Sequence, residues 1–171
     1  MKTRIELPKD LKKETTRRVR EMKKEFSGDP EIKLFPNDKN YDQIIAQVGI
    51  KFSSLCEHHL VSFHGDVSIA YIPNLWLTGL SKFARVVKKY LNPVRPTIQE
   101  KATQQITNHL IKALQPNGLM VIIRAEHDCI GYRGIKSPST TITSAVYGSF
   151  RDNSAIKQEF LTLLPQRYPA S

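Results

Sequence analysis

Thr97-Ile98-Gln99-Glu100-Lys101-Ala102, read on through Ile106, Leu110 and Leu114 to Pro116-Asn117-Gly118, is the stretch that decides the fold. Ile98, Ala102, Ile106, Leu110 and Leu114 recur at helical spacing and form one apolar stripe, and Pro-Asn-Gly stops it. Thr97 and Glu100 have the spacing of a capping box, in which a hydroxyl and a carboxylate satisfy free N–H groups of the first turn. Just upstream, Thr78 precedes a second helical run with Leu80, Phe83, Ala84, Val87 and Leu91 on one face, closed by Asn92-Pro93. Two helices joined so closely fold back on each other as an antiparallel pair.

Strand patterns lie on both sides of this pair. Gln47 to Leu55 and Val61 to Ile72 alternate, with Val67, Ile69 and Tyr71 set against Asp66, Ser68 and Ala70. Downstream, Leu119 to Ala125 and Thr140 to Tyr147 read as strands around a glycine-containing loop from Ile130 to Pro138, and a short helix near Ala155 to Leu164 ends the chain. Strand pairs flanking a helix pair predict an α+β fold, an antiparallel sheet with two antiparallel helices on one face. Its free edges need either charged protection or a neighbouring subunit, so a homo-oligomer is expected.

The first segment differs from the rest. From Asp10 to Phe26 the chain is charged, with Leu11, Val19, Met22 and Phe26 at helix-compatible positions, until Ser27-Gly28-Asp29-Pro30 turns it. Residues 1–26 hold 10 basic and 5 acidic side chains, half of the net charge of +10. The expected organisation is a basic helix over 1–28 and a main body over 29–171, together one domain. A composition of 40% hydrophobic and 25% charged residues excludes disordered and collagen-like classes. With no apolar run near the ~18 residues of a membrane span and a charged start, a cytoplasmic protein without a membrane partner is expected.

The charge alone leaves nucleic acid, an acidic surface or a phosphorylated small molecule open as partner. Three sets of residues narrow it. Cys56-Glu57-His58-His59 and the distant His127-Asp128-Cys129 offer five soft donors, Cys56, His58, His59, His127 and Cys129. That is enough for a tetrahedral zinc with histidines to spare, because thiolate and imidazole suit zinc better than magnesium or calcium. In a reducing compartment the two cysteines favour metal or catalytic use over a structural disulfide. His64 and His109 lack such company and read as ordinary strand-end and helix-surface residues.

Ser81, Lys82 and Arg85 sit in the first turns of the helix after Thr78, where free N–H groups and the helix dipole favour an anion. Arg133, between Gly131 and Gly134, can approach the same ligand through a permissive loop. The alternative is a set of solvated charges on an amphipathic helix. Gln99-Glu100 likewise has two readings, a helix cap or a carboxylate that accepts the paired N–H donors of a guanine edge.

Taken together, these residues resemble the GTP cyclohydrolase I family. The resemblance is carried by Cys56-Glu57-His58-His59-Leu60, Gly79-Leu80-Ser81-Lys82-Phe83-Ala84-Arg85, Gln99-Glu100-Lys101 and His127-Asp128-Cys129 with Arg133-Gly134. It begins at Glu14-Thr15-Thr16-Arg17-Arg18-Val19 and runs to about Leu164. It implies a tunnelling fold whose subunits pair sheet edges into rings, stacked as a homodecamer with active sites at subunit interfaces. It implies that Cys56, His59 and Cys129 hold Zn2+, leaving His58 and His127 for acid/base work. Ser81, counted with these catalytic residues, would join Lys82, Arg85, Arg133 and a neighbour's Arg18 around a triphosphate, and Gln99 and Glu100 would grip guanine.

The implied reaction takes GTP and water to 7,8-dihydroneopterin triphosphate and formate, through addition at C8, ring opening, loss of formate and ribose rearrangement. Two other readings remain: a tunnelling-fold enzyme acting on a pterin or deazaguanine without opening a GTP ring, and a basic zinc-stabilised nucleic-acid module. Neither a helix-turn-helix nor an aromatic stacking motif supports the latter, so no nucleic-acid partner is expected. The chain departs from the family at Thr16, often Pro, at Glu21, often Lys, and at Lys101, usually Arg, and its N-terminal helical region is short.

Overall fold

The computed structural model describes residues 9–28 and 30–165; the outermost parts of the expected 1–28 and 29–171 segments, at 1–8 and 166–171, and Asp29 of the expected turn lie outside these. In chain order the elements are α1 (Lys9–Glu25), β1 (Leu34–Pro36), β2 (Ile45–Leu55), β3 (Ser62–Ile72), β4 (Trp76–Thr78), α2 (Ser81–Tyr90), α3 (Gln99–Leu114), β5 (Gly118–His127), α4 (Asp128–Gly131), β6 (Thr140–Gly148), α5 (Ser149–Asp152) and α6 (Ser154–Leu163). Strands β2, β3, β5 and β6 pair antiparallel in that order, and β1 pairs with β4 in a separate two-stranded ribbon. The α+β architecture and the antiparallel helix pair are those the patterns predict.

Period-2 alternation sorts each strand between two environments. Val67, Ile69 and Tyr71 of β3 and Leu119, Val121 and Ile123 of β5 face α2 and α3, where Phe83, Val86, Val87, Ala102, Ile106, Leu110 and Leu114 complete the main core. All of these are at most 1% exposed, so truncating one, as in Leu110→Ala, removes both apolar burial and packing, about 2–5 kcal/mol. The opposite face is divided. Ala70, Ile72, Met120 and Ile122 are covered by Phe150, Phe160 and Leu164 from α5, α6 and the residue after it. The remainder carries a charge ladder in register, Lys51 opposite Asp66 and Asp66 opposite Arg124, beside a cavity of about 260 Å³.

Two capping expectations are corrected. Helix α3 has Ile98, not Thr97, at its N-cap, without a side-chain capping bond. Thr97 is used elsewhere: its backbone bridges to β2's exit, with Thr97 N–H donating to Leu55 O at 2.9 Å and Glu57 N–H donating to Thr97 O at 3.1 Å. Thr78 does not cap α2 either; it ends β4, and its hydroxyl donates to Lys33 O. The bridge at Thr97 outweighs a local cap because it ties the start of α3 to the segment that carries Cys56. Sheet packing also explains Gly65, where an added Cβ would meet Arg124 O at 1.9 Å.

The sheet gives the subunit two distinct ends. Phe63 opposite His127 marks one and Ile72 opposite Gly118 the other, nine residues or about 30 Å apart at ~3.4 Å per residue. α3 starts at the Phe63 end. α2 starts beyond the Ile72 end and runs back, until Asn92 O accepts from Ser54 Oγ at 3.0 Å.

Candidate functional site

β2 leaves the sheet at Leu55 and turns tightly through Cys56–Val61. Leu60 N–H donates to Cys56 O at 2.8 Å and Cys56 N–H to Val61 O at 2.9 Å. Leu60 closes this turn at φ +54°, a left-handed conformation that costs a branched side chain roughly 1 kcal/mol and is held by those flanking bonds. Cys56 is thereby buried at 3% exposure, while Glu57, His58 and His59 stand in solvent. β5 brings the second motif to the same end: His127 is its last residue, and the single helical turn of α4 carries Asp128 and Cys129. Asp128 pins that turn, accepting a hydrogen bond from Ser62 Oγ of β3 with His64 Nδ1 3.9 Å away.

Among the described residues, Cys56, His127 and Cys129 converge, with their ligand atoms all within 4.8 Å of one another. His58 Nδ1 lies 3.7 Å from Cys56 Sγ. His59 is not part of the trio; its ring stands edge-on to that of His58 at 6.3 Å. The donor set fits a soft metal. Burial pushes the Cys129 thiol up, neighbouring Cys56 raises it further, and Arg133 pulls it back down. A bound cation would offset the burial and the neighbouring sulfur that hold the Cys129 thiol up.

His127 is held more firmly than its motif suggests. Phe63, its cross-strand partner, stacks on the ring at 4.8 Å and 6°. Its Nε2 lies 2.8 Å from Gln99 Oε1. Burial lowers its pKa, opposed by the charges of Glu100 and Asp128 and assisted by His58. The sequence-predicted residues Cys56, His58, Gln99, Glu100, His127, Cys129 and Arg133 thus meet at one end of the sheet. Glu100 is exposed at the start of α3, next to Gln99, which is only 1% exposed. Lys101, one residue on, pairs with Glu57 at 3.1 Å and ties the cysteine turn to the helix.

The cationic set lies elsewhere. Ser81 and Lys82 open α2 at the sheet's Ile72 end, where the buried Tyr71 hydroxyl bonds to the Thr78 backbone. The 10-residue helix separates them from Asn92 by about 15 Å at ~1.5 Å per residue. Arg85 lines a cleft of about 320 Å³ with Glu25, Phe26, Lys88 and Lys89. Arg18 is exposed on α1, 3.9 Å from Glu14, and Glu21 and Glu14 together hold Arg17 at 2.7 and 2.9 Å. Sequence reading missed the Phe63 stack, the Asp128–Ser62 anchor and the internal use of Gln99. Each depends on strand register, which residue spacing within one motif does not reveal.

The comparisons with known proteins agree with this constellation. The family model for GTP cyclohydrolase I matches residues 5–165. The chain is 43% identical to GTP cyclohydrolase 1 of Aquifex aeolicus over 155 residues, 89% of this chain and 83% of that one. It is 44% identical to GTP cyclohydrolase 1 of Dehalococcoides mccartyi over 164 residues, 91% and 86% of the two chains. A solved structure of apo archaeosine synthase QueF-Like covers 60% of this chain and 93% of its own at 17% identity and a TM-score of 0.43, too distant to carry an argument. With a match over nearly its whole length and its metal-donor motifs meeting at one end of a tunnelling-fold sheet, the chain belongs to the GTP cyclohydrolase I family.

Proposed function

We propose that this chain converts GTP and water to 7,8-dihydroneopterin triphosphate and formate. The observation that carries the reading is the meeting of Cys56, Cys129 and His127 with Glu100 and Arg133 at one sheet end, in a chain of this family. The metal would be zinc, held, as the family resemblance implies, by Cys56, Cys129 and His59, with His59 turning in from solvent to join the two sulfurs that His127 already flanks. When bound it supplies Lewis acidity, which brings a water's pKa to about 7.

His127 and His58 then handle protons. An imidazole works on both sides of neutrality, and His127 is oriented by Phe63 and Gln99 toward whatever occupies the space beside the sulfurs. Glu100, exposed and next in chain to the buried Gln99, is free to accept the N1–H and amino group of guanine. Ser81, Lys82, Arg85 and Arg133, with a neighbour's Arg18, hold the triphosphate, where guanidinium forks and an ammonium give charge-assisted hydrogen bonds.

Within one chain Ser81 and Lys82 stand at the opposite end of α2 from Asn92, which bonds to Ser54 near the cysteine turn. In this reading the complete site is assembled from neighbouring subunits. The sheet offers two long edges for this, β2 and β6, the latter with Ile142 60% exposed. Edge pairing closes a ring, and stacked rings give a decamer. The basic helix α1 (Lys9–Glu25) serves as an arm on the body that follows it, within the expected division at 28/29. Among the described residues no helix is long and apolar enough to cross a membrane, and the enzyme works in the cytoplasm.

The test is to incubate zinc-loaded protein with GTP, follow formate and pterin fluorescence, and measure metal in the same sample. Stoichiometric formate and pterin are expected. An oligomeric, metal-replete sample that releases neither overturns the reading.

A further inference from the structure

The carboxamide of Gln99 is 1% exposed and its bonding fixes which end is which. Its Nε2 lies 3.1 Å from both Ile123 O and Thr141 O, backbone oxygens that only accept, so this end is the NH2. Thr143 Oγ1 is a third partner at 3.1 Å and is itself bonded to Thr103 Oγ1 at 2.7 Å. Oε1 must then be the atom facing His127 Nε2 at 2.8 Å. Because Oε1 only accepts, Nε2 carries the proton. A neutral imidazole has one N–H, so Nδ1 keeps the lone pair.

We propose that Gln99 is a positioning residue for His127: its buried carboxamide fixes the ring's rotation and its Nε2–H tautomer, leaving Nδ1 as the bare nitrogen. Phe63 sets the plane of the ring by stacking, and Gln99 sets its direction within that plane. The amide is in turn immobile because its donors are spent on β5 and β6. This arrangement has the form of an outer group that orients a working histidine, a role whose loss typically costs 10–100-fold. It separates two adjacent residues of one motif: Gln99 acts inward on His127, and Glu100 is the side chain left for the ligand. The proposal rests on the reading that the chain acts on GTP.

The test uses the zinc-loaded, full-length enzyme and two variants, Gln99→Met, which keeps the bulk and removes the amide, and Thr143→Val, which removes one of its three anchors. Imidazole 15N spectra of histidine-labelled protein, with the His127 signals identified by their loss in His127→Ala, report the tautomer. The Nε2–H form is expected in the parent, and a mixed or Nδ1–H form in Gln99→Met. With GTP, kcat should fall about 10–100-fold in Gln99→Met while KM holds, and Thr143→Val should move kcat the same way by less.

A raised KM at unchanged kcat, which a direct contact to the base would give, overturns the proposal. So does an Nδ1–H tautomer in the parent, or a His127 spectrum that ignores both substitutions. Should Gln99→Met fail to fold, the same comparison is read from Thr143→Val. If the parent releases no formate from GTP, the functional reading fails, and the 15N comparison still decides the role of Gln99.

Discussion

The two ends of the sheet differ in how much of a site one chain completes. At the Phe63–His127 end, strand register, a tight turn and a buried amide bring two thiols, an imidazole and a carboxylate together with hydrogen bonds of 2.8 to 3.1 Å. At the Ile72–Gly118 end, Ser81 and Lys82 open α2, and Arg85, one turn on, lines a cleft with Lys88, Lys89 and Glu25, which pairs with Lys88 at 2.6 Å. The first end is preorganised by its own fold. The second is a cationic surface whose Ser81, Lys82 and Arg85 have, among the described residues, no hydrogen-bonded partners comparable to Gln99 and His127, and under the proposed function it would meet the chemical end of a neighbouring subunit.

The largest effect should come from Cys129→Ser. Removing one of two thiolates should abolish metal binding, measured by metal analysis, and lower formate release well beyond the ~100-fold typical of outer-shell changes. The division between ends then gives a mixing experiment. Subunits carrying Cys129→Ser and subunits carrying Arg85→Ala with Lys82→Ala, unfolded together and reassembled in equal amounts, should recover about a quarter of the wild-type sites if each site draws one end from each neighbour. No recovery, in a mixture that reassembles fully, would mean that both ends come from the same chain.

Within the cysteine end, His127 and His59 exchange roles between two readings. In the assignment made here, His59→Ala loses metal and activity together. His127→Ala keeps metal and loses about 10²–10⁴-fold in turnover, the worth of a general acid/base. Metal lost from His127→Ala and kept in His59→Ala would put His127 on the zinc, where the single chain already places it beside the sulfurs.

Much of this was legible in the sequence for a physical reason. The stripe from Ala102 to Leu114 and the alternation from Val67 to Tyr71 are periodic, and burial enforces periodicity everywhere along an element. The donor motifs were legible because soft ligands are few and chemically distinct. Phe63 against His127, Asp128 against Ser62 and Gln99 against Thr141 were not, since each pairs residues more than 25 positions apart through a register that no local pattern specifies. Thr97 shows the converse: a good local cap gives way when its backbone is needed for a long-range bridge. The α5–α6 cover on the second sheet face was missed for a similar reason, because Phe150 and Phe160 make their sense only beside Met120 and Ile122.

At the cation end, Arg85→Ala should raise KM for GTP about 10–100-fold with little change in kcat, as loss of charge-assisted hydrogen bonds worth ~1.5–3 kcal/mol to bound phosphate requires. A KM that does not move would remove Arg85 from the triphosphate site and leave it as a solvated charge.

The smallest effect is expected where the two motifs of the cysteine end touch at the surface. Lys101 pairs with Glu57 at 3.1 Å, but their side chains are 49% and 42% exposed, so water and salt screen them. Lys101→Ala should lower stability by less than about 1 kcal/mol, read from a shift of the denaturant midpoint. Lys101→Arg, which restores the residue usual in the family, should change it less still, since a carboxylate that is half in solvent gains little from a planar fork. If Lys101→Ala instead reduced turnover as strongly as His127→Ala, the Glu57–Lys101 tether would be positioning the Cys56 turn. The preorganisation of that end would then reach to its surface, and would not be confined to the buried Gln99 amide and the Phe63–His127 stack.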